Sequence, residues 1–237
     1  MKKAIIAFVT LLILSSCGKN KESKTNLHLT GTIKGLKKGA LYIQKVKDGK
    51  LVALDTIIMN GDSKFESDLN ITSPEMLYLF LDRGVSNSLD NNISFFAEPG
   101  NINIETNLDS YIMSAKVTGS KNQDKYYEYE KTNDRFRDEK LELIAAKFKA
   151  MKNNDQATLA SLNIKEENNT KRKYLFATNF AINNRDYEIA PYIALSEIYD
   201  INVKYLDTIQ KSMSPKVAQS LYGKQLTEYI AQIKKAK

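Results

Sequence analysis

Cys17 and His28 are the only cysteine and the only histidine among the 237 residues of this chain, and that scarcity bounds its chemistry. One thiol cannot form an internal disulfide, a Cys-x-x-Cys redox pair or a cysteine-rich zinc site, and one imidazole cannot supply a histidine-rich metal centre. His28 sits between Leu27 and Leu29 with no carboxylate or cysteine beside it in sequence, which is the setting of an exposed strand residue rather than of a base or ligand. The acid pairs Asp138 with Glu139, Glu166 with Glu167, and Glu128 with Glu130 carry the groups used in glycoside hydrolysis. That reaction needs two carboxyls facing one cleft about 5 to 10 Å apart. Sequence neighbours on a helix point in different directions, so the pairs read as charged helix faces, and no catalytic residue is assigned. Signatures of a nucleophile elbow, a P-loop, a dinucleotide turn, an H-E-x-x-H pair and an EF-hand loop are all absent. No cofactor and no metal site is expected.

Ten of the thirteen tyrosines lie beyond Gly119, among 21 Lys+Arg and 16 Asp+Glu. Tyrosines beside cations can form a stacking platform for single-stranded nucleic acid. Here the interspersed acids leave a surplus of only +5, and amphipathic helices use tyrosine wherever a ring is buried and its hydroxyl stays wet. No nucleic-acid partner is expected.

The lone cysteine has another use. Lys2 and Lys3 precede an apolar run, Ala4 to Leu14, whose eleven residues contain one polar residue, Thr10. A bilayer-spanning helix needs about 20 residues, so this run has the length of a secretory signal core. Leu14-Ser15-Ser16-Cys17 follows, and it resembles the bacterial lipobox, in which small residues admit the signal peptidase and the cysteine thiol is acylated. The reading is therefore a signal peptide over residues 1–16 with Cys17 as the lipid attachment point. The mature chain would keep 221 residues (237 less 16) and no free thiol. A diacyl thioether with an added N-acyl chain exceeds the two-chain requirement for stable membrane anchoring. Gly18, where an Asp would resemble the inner-membrane retention signal, points to the outer membrane, and Lys19, Asn20 and Lys21 lack the acidic run of surface-exported lipoproteins, which points to the periplasmic face. Residues 17–26 form a polar lipidated tether.

Two compositions follow. From Leu27 to Thr118 apolar residues alternate with polar ones, and turn signals recur every eight to twelve residues. Asp48-Gly49 between two such runs suits a type I′ hairpin turn, which needs positive φ at both central residues. About eight strands are predicted, over Leu27–Ile33, Leu41–Val46, Leu51–Met59, Lys64–Leu69, Met76–Asp82, Ile93–Ala97, Ile102–Thr106 and Tyr111–Val117. The expected architecture is an antiparallel β-sandwich or open barrel over residues 27–118. Its 9 Lys+Arg and 11 Asp+Glu give −2, which is no polyanion surface.

Residues 119–237 are nearly without glycine and acquire helical periodicity, giving an α-helical domain and an α+β class in which sheet and helices are segregated. The predicted helices are Asn122–Lys152, Thr158–Asn183 with an interruption near Ile164, Tyr187–Tyr199 and Val203–Met213. A last helix is launched by Ser214-Pro215 and interrupted at Gly223.

Gly31 to Leu36, Gly39, Leu41-Tyr42, Asp55-Thr56, Gly61 to Phe65, Glu98 to Ile102 and Val117 to Ser120 together resemble an uncharacterised domain common in Bacteroidota. That domain precedes a thioredoxin-like domain in lipid-anchored thiol-disulfide interchange proteins of the TlpA/ResA type. Ala190 to Ala194 and Ser214-Pro215-Lys216 leading to Ser220 to Gly223 are similar to the helical segment that links the two domains there. The family's redox chemistry resides in a thioredoxin domain that lies past the last helix, and this chain ends at Lys237 without the Cys-x-x-Cys pair. Disulfide exchange needs an attacking thiolate and a resolving partner, so no activity carries over. The expected function is that of an envelope lipoprotein acting as a non-catalytic binding or scaffold module for a protein or glycan of the envelope. The alternative is an accessory subunit of periplasmic thiol-disulfide exchange that works with a separate thioredoxin-like protein.

Overall fold

The computed structural model describes residues 25–84 and 91–236. The predicted signal peptide of residues 1–16 with Leu14, Ser15 and Ser16, the predicted lipid attachment point Cys17 and most of the predicted tether lie outside them.

Among the described residues eight strands come first: β1 Leu27–Lys34, β2 Lys38–Lys47, β3 Lys50–Asn60, β4 Lys64–Leu69, β5 Glu75–Asp82, β6 Asn92–Ala97, β7 Gly100–Asn107 and β8 Lys116–Thr118. They form two four-stranded sheets, ordered β4-β1-β7-β8 and β3-β2-β5-β6, neither closed into a barrel. Alternation sets which side chains meet. Leu27, Leu29 and Ile33 of β1, Ile102 and Ile104 of β7, and Phe65 of β4 face Leu41, Ile43, Leu77, Leu79, Leu81 and Phe95 of the other sheet in one shared core. Asp48 and Gly49 both have positive φ, 52° and 73°, as their hairpin requires.

All pairs are antiparallel except one: β1 runs parallel to β7, with Leu27 opposite Gly100 and Lys34 opposite Asn107. The eighth strand is also shorter than its pattern suggests, because residues 108–114 form turns. Tyr111 leaves the alternation to enter the core, where it is 3% exposed and its hydroxyl donates to the Leu79 carbonyl at 3.1 Å. Thr106 Oγ1 donates to the Tyr111 carbonyl at 2.6 Å, and the Asn107 N–H donates to Ser114 Oγ at 3.1 Å, which ties the loop back onto β7.

Six helices follow among the described residues, α1 Lys121–Lys152, α2 Gln156–Asn183, α3 Ile189–Ser196, α4 Val203–Ser212, α5 Pro215–Ala218 and α6 Leu221–Lys235. The chain is thus an α+β protein with its sheets and helices segregated. Asp155 caps α2 through its carboxylate on the Thr158 N–H, and α2 then runs through Ile164 without a break. The end of the chain also differs from its pattern. Ser214-Pro215 starts only a four-residue helix, and the long final helix begins at a second cap, Ser220, whose hydroxyl accepts from the Gly223 N–H. Gly223 lies inside that first turn, where a Cβ would stand 2.0 Å from the Val217 carbonyl oxygen.

The helical core takes in Met76 and Phe96, with Tyr78 packed against it, from the outer face of the second sheet. These are residues of β5 and β6. The other half of that face, on β2 and β3, contributes nothing to the helical core.

Candidate functional site

The sheet and the helices are fastened at the start of α1. Ser120 Oγ accepts from the Gln123 N–H at 3.0 Å, and Gln123 Oε1 accepts from the Phe96 N–H at 2.7 Å, so the first turn is pinned to β6. Glu98, in the β6–β7 turn, accepts from the Lys121 N–H at 2.6 Å, which places a negative charge where the α1 dipole favours one. Asn122 Nδ2 donates to Glu98 Oε2 at 2.7 Å and to Glu188 Oε2 at 3.0 Å, while its Oδ1 accepts from the Ile189 N–H at 2.9 Å. One amide therefore joins the sheet, α1 and the start of α3.

Phe96 projects from this junction into a ring of tyrosines. Its ring meets Tyr192 edge-on at 5.7 Å and Tyr222 at 6.0 Å, and Tyr126 meets Tyr192 at 6.3 Å. The Tyr222 hydroxyl accepts from the Met76 N–H at 2.8 Å, and Ser73 Oγ accepts from the Leu221 N–H at 3.0 Å, which fixes α6 to the approach to β5.

A cleft of about 380 Å³ opens beside these tyrosines. It is lined by Tyr192 and Tyr222 of the helices, by Glu75 and Tyr78 of β5, and by Val46 and Gly49 at the tip of the β2–β3 hairpin. Burial holds the hydroxyls of Tyr192, Tyr222 and Tyr78 above the usual phenol range. They are neutral hydrogen-bonding groups rather than nucleophiles or bases. Burial also raises the Glu75 carboxyl, an effect that Lys45 at 3.8 Å opposes. A carboxyl raised in the folded state adds stability below about pH 4, where both states are protonated, and that contribution is lost as pH rises through the folded value. Glu75→Gln is therefore expected to melt higher than the parent chain at pH 7, with the gap closing by pH 4. Equal gaps at both pH values in thermal melts would show that burial does not dominate at this carboxyl.

The acids singled out in sequence do not share a cleft of this kind. Glu139 pairs with Arg172 at 2.6 Å, Glu128 with Lys125 at 2.9 Å and Glu130 with Arg137 at 2.9 Å. Glu166 and Glu167 border an open groove along α2, but Lys147 donates to the first and Lys171 lies 3.6 Å from the second. The Lys147 ammonium holds Glu166 below the usual carboxylate range, the opposite of what a general acid needs. His28 does have a partner that sequence proximity hides. Its Nδ1 lies 2.8 Å from Asp68 Oδ1, directly across the β1–β4 pair and exposed. Among the described residues, no group of three or more His, Cys, Asp or Glu side chains could hold a metal ion.

The second feature of this side of the molecule is β3. Among the described residues it forms the open edge of its sheet and pairs only with β2, and it runs eleven residues. Val46, Leu51, Val52 and Ile58 on this hairpin are 54%, 48%, 41% and 72% exposed. The register shift between Ile43 and Gln44 leaves Leu54 as an extra, bulged residue. A long, apolar, unpaired edge of this kind is a template for strand addition.

Residues 27–126 match the family model of a domain of unknown function, DUF4369. The match covers both sheets and ends in the first turns of α1. No curated protein and no solved structure matches the chain.

Proposed function

We propose that the chain is an envelope lipoprotein, anchored through acylated Cys17 in the outer membrane and facing the periplasm, and that it acts as a non-catalytic binding module. The observation that carries this reading is the β3 edge. Its apolar side chains stand exposed on a strand that, among the described residues, is paired on one side only, beside a cleft lined by neutral tyrosines. The occupant is an extended segment of another envelope protein. Main-chain hydrogen bonds to β3 would give it affinity, and Ile58, Leu51 and Val46 would select its apolar side chains.

A photo-reactive residue in place of Ile58 is expected to trap a discrete protein adduct in intact cells, whereas one in place of the exposed Glu228 on α6 is not. The pair Leu51→Lys and Ile58→Lys should lower the adduct at Val46 at least fivefold. Stability should stay within about 0.5 kcal/mol, as for surface substitutions generally. Equal adducts from both faces would remove the reading, and trapped glycan would reassign the cleft. Cys17→Ser should release the chain from the membrane fraction, and unchanged attachment would refute the anchor.

The alternative, an accessory role in thiol-disulfide exchange, draws on the resemblance to TlpA/ResA-type proteins. It requires that the trapped partner be thioredoxin-like, and that deletion of the chain shift the redox state of periplasmic thiols.

A further inference from the structure

The far part of the α1–α2 hairpin packs in a cluster of its own. At 1.5 Å per residue the 32 residues of α1 span about 48 Å. The far part of the pair has only a small core of its own, Leu143, Ala150 and Leu162 with Ala146 and Leu159 packed against it, separate from the two main cores. That core uses one face of α1. Leu141, Ile144, Phe148 and Met151 lie on the opposite face, 65%, 39%, 70% and 50% exposed.

Their spacing is three, four, three. At 100° per residue the four side chains fall within an arc of about 80°, the narrow seam of a coiled coil rather than the arc of 100° or more by which a helix beds into a lipid surface or a broad core. Taking Leu141 and Phe148 as a, and Ile144 and Met151 as d, the flanking g positions are Lys140 and Lys147 and the e positions are Ala145 and Lys152. Every charge beside the seam is positive, although Lys147 also reaches across to Glu166 of α2.

We infer that this outer face of α1 docks a single helix of another protein, one that carries an apolar a/d seam with acidic e and g flanks. Charge selects that occupant. A second copy of this chain would set lysine against lysine in either orientation, since antiparallel packing opposes g with g and parallel packing opposes g with e. An acidic-flanked helix meets Lys140 and Lys152 with opposite charge and closes the hairpin into a three-helix array. The surface is distinct from β3, so neither proposal depends on the other.

The test uses the full-length chain and two synthetic four-heptad helices with Leu at a and d, one with Glu and one with Lys at every e and g. Fluorescence anisotropy is expected to show the Glu-flanked helix bound at least tenfold more tightly at low salt, with the difference shrinking as salt rises towards 1 M, where the screening length is about 3 Å. Leu141→Ser with Phe148→Ser should weaken that binding at least tenfold while the circular dichroism spectrum and melting profile stay unchanged, because both side chains are exposed. Equal affinity for the two helices, no binding of either, or binding that survives the double substitution would overturn the inference. So would self-association in sedimentation, or capture by phosphatidylglycerol vesicles, that the double substitution abolishes, since either would assign the stripe to a second copy or to a membrane.

Discussion

Gly119→Ala is expected to cost about 4 kcal/mol or more of folding stability, enough to leave a domain of ordinary stability of 5–15 kcal/mol marginal. Gly119 joins β8 to α1 at φ +96°, which disfavours any residue with a Cβ. The clash is worse than the dihedral. A Cβ here would stand 2.0 Å from the Asn101 carbonyl oxygen and within 3.2 Å of the Ile102 Cα, both main-chain atoms of β7. That strand cannot yield easily, because it is held between β1 on one side and β8 on the other. The other neighbours are equally fixed, since Ser120 caps α1 and is 1% exposed. Gly49→Ala supplies the control. Its φ is +73°, but nothing lies within 4 Å of its Cβ position, so it should cost about 1 kcal/mol. Urea denaturation of both variants would separate clash from dihedral strain, and a Gly119→Ala loss no larger than that of Gly49→Ala would refute the close approach.

Much of the β region was legible because its alternation is nearly unbroken. Leu27, Leu29 and Ile33 are buried as their spacing demands, and the Asp48-Gly49 turn has the φ values its residue types predict. What local pattern cannot supply is the partner. The parallel alignment of β1 with β7 joins residues some seventy positions apart, and no turn signal records it. Tyr111 looked like part of a strand because an aromatic among apolar residues fits one, and only the distant Leu79 carbonyl explains why it turns inward. The helices were misjudged where one polar residue outweighed periodicity. Asp155 and Ser220 set the starts of α2 and α6 by capping. Both are common surface residue types, and nothing nearby marks them out from the other polar residues of the region.

The candidate site was the least legible part. Tyr78, Tyr192 and Tyr222 are 114 and 30 positions apart in succession, and each reads by itself as an amphipathic ring. The convergence of Tyr192 and Tyr222 on Phe96, beside Tyr78 in one cleft, depends on how α3 and α6 lie across β5 and β6. The β3 edge was half visible. Leu51 to Met59 reads as a strand from its own residues, but its position at the sheet margin follows from strand order alone.

Asn122→Leu is expected to remove about 3 to 5 kcal/mol, because this one amide satisfies three groups at the junction of the halves. Loss of Nδ2 leaves Glu188, whose side chain is 3% exposed, with Lys216 at 3.5 Å as its remaining ionic contact. Loss of Oδ1 leaves the Ile189 N–H without its side-chain acceptor at the start of α3. A buried carboxylate that loses a hydrogen-bond donor and an unmade buried hydrogen bond each cost more than the leucine regains by filling the space. Asn122→Asp separates the two effects. It keeps an acceptor for Ile189 but sets a third carboxyl beside Glu98 and Glu188, whose charges would raise the introduced group above its unfolded value. The stability that this group contributes is then present in full below about pH 4 and is lost as pH rises through the raised value. Relative to the parent chain at the same pH, Asn122→Asp should be at least as damaging as Asn122→Leu at pH 7. It should recover towards pH 4, where the protonated carboxyl can donate again, while Asn122→Leu shows no such recovery. Parallel pH profiles for the two variants in urea denaturation would mean that Glu98 and Glu188 do not act on this position together.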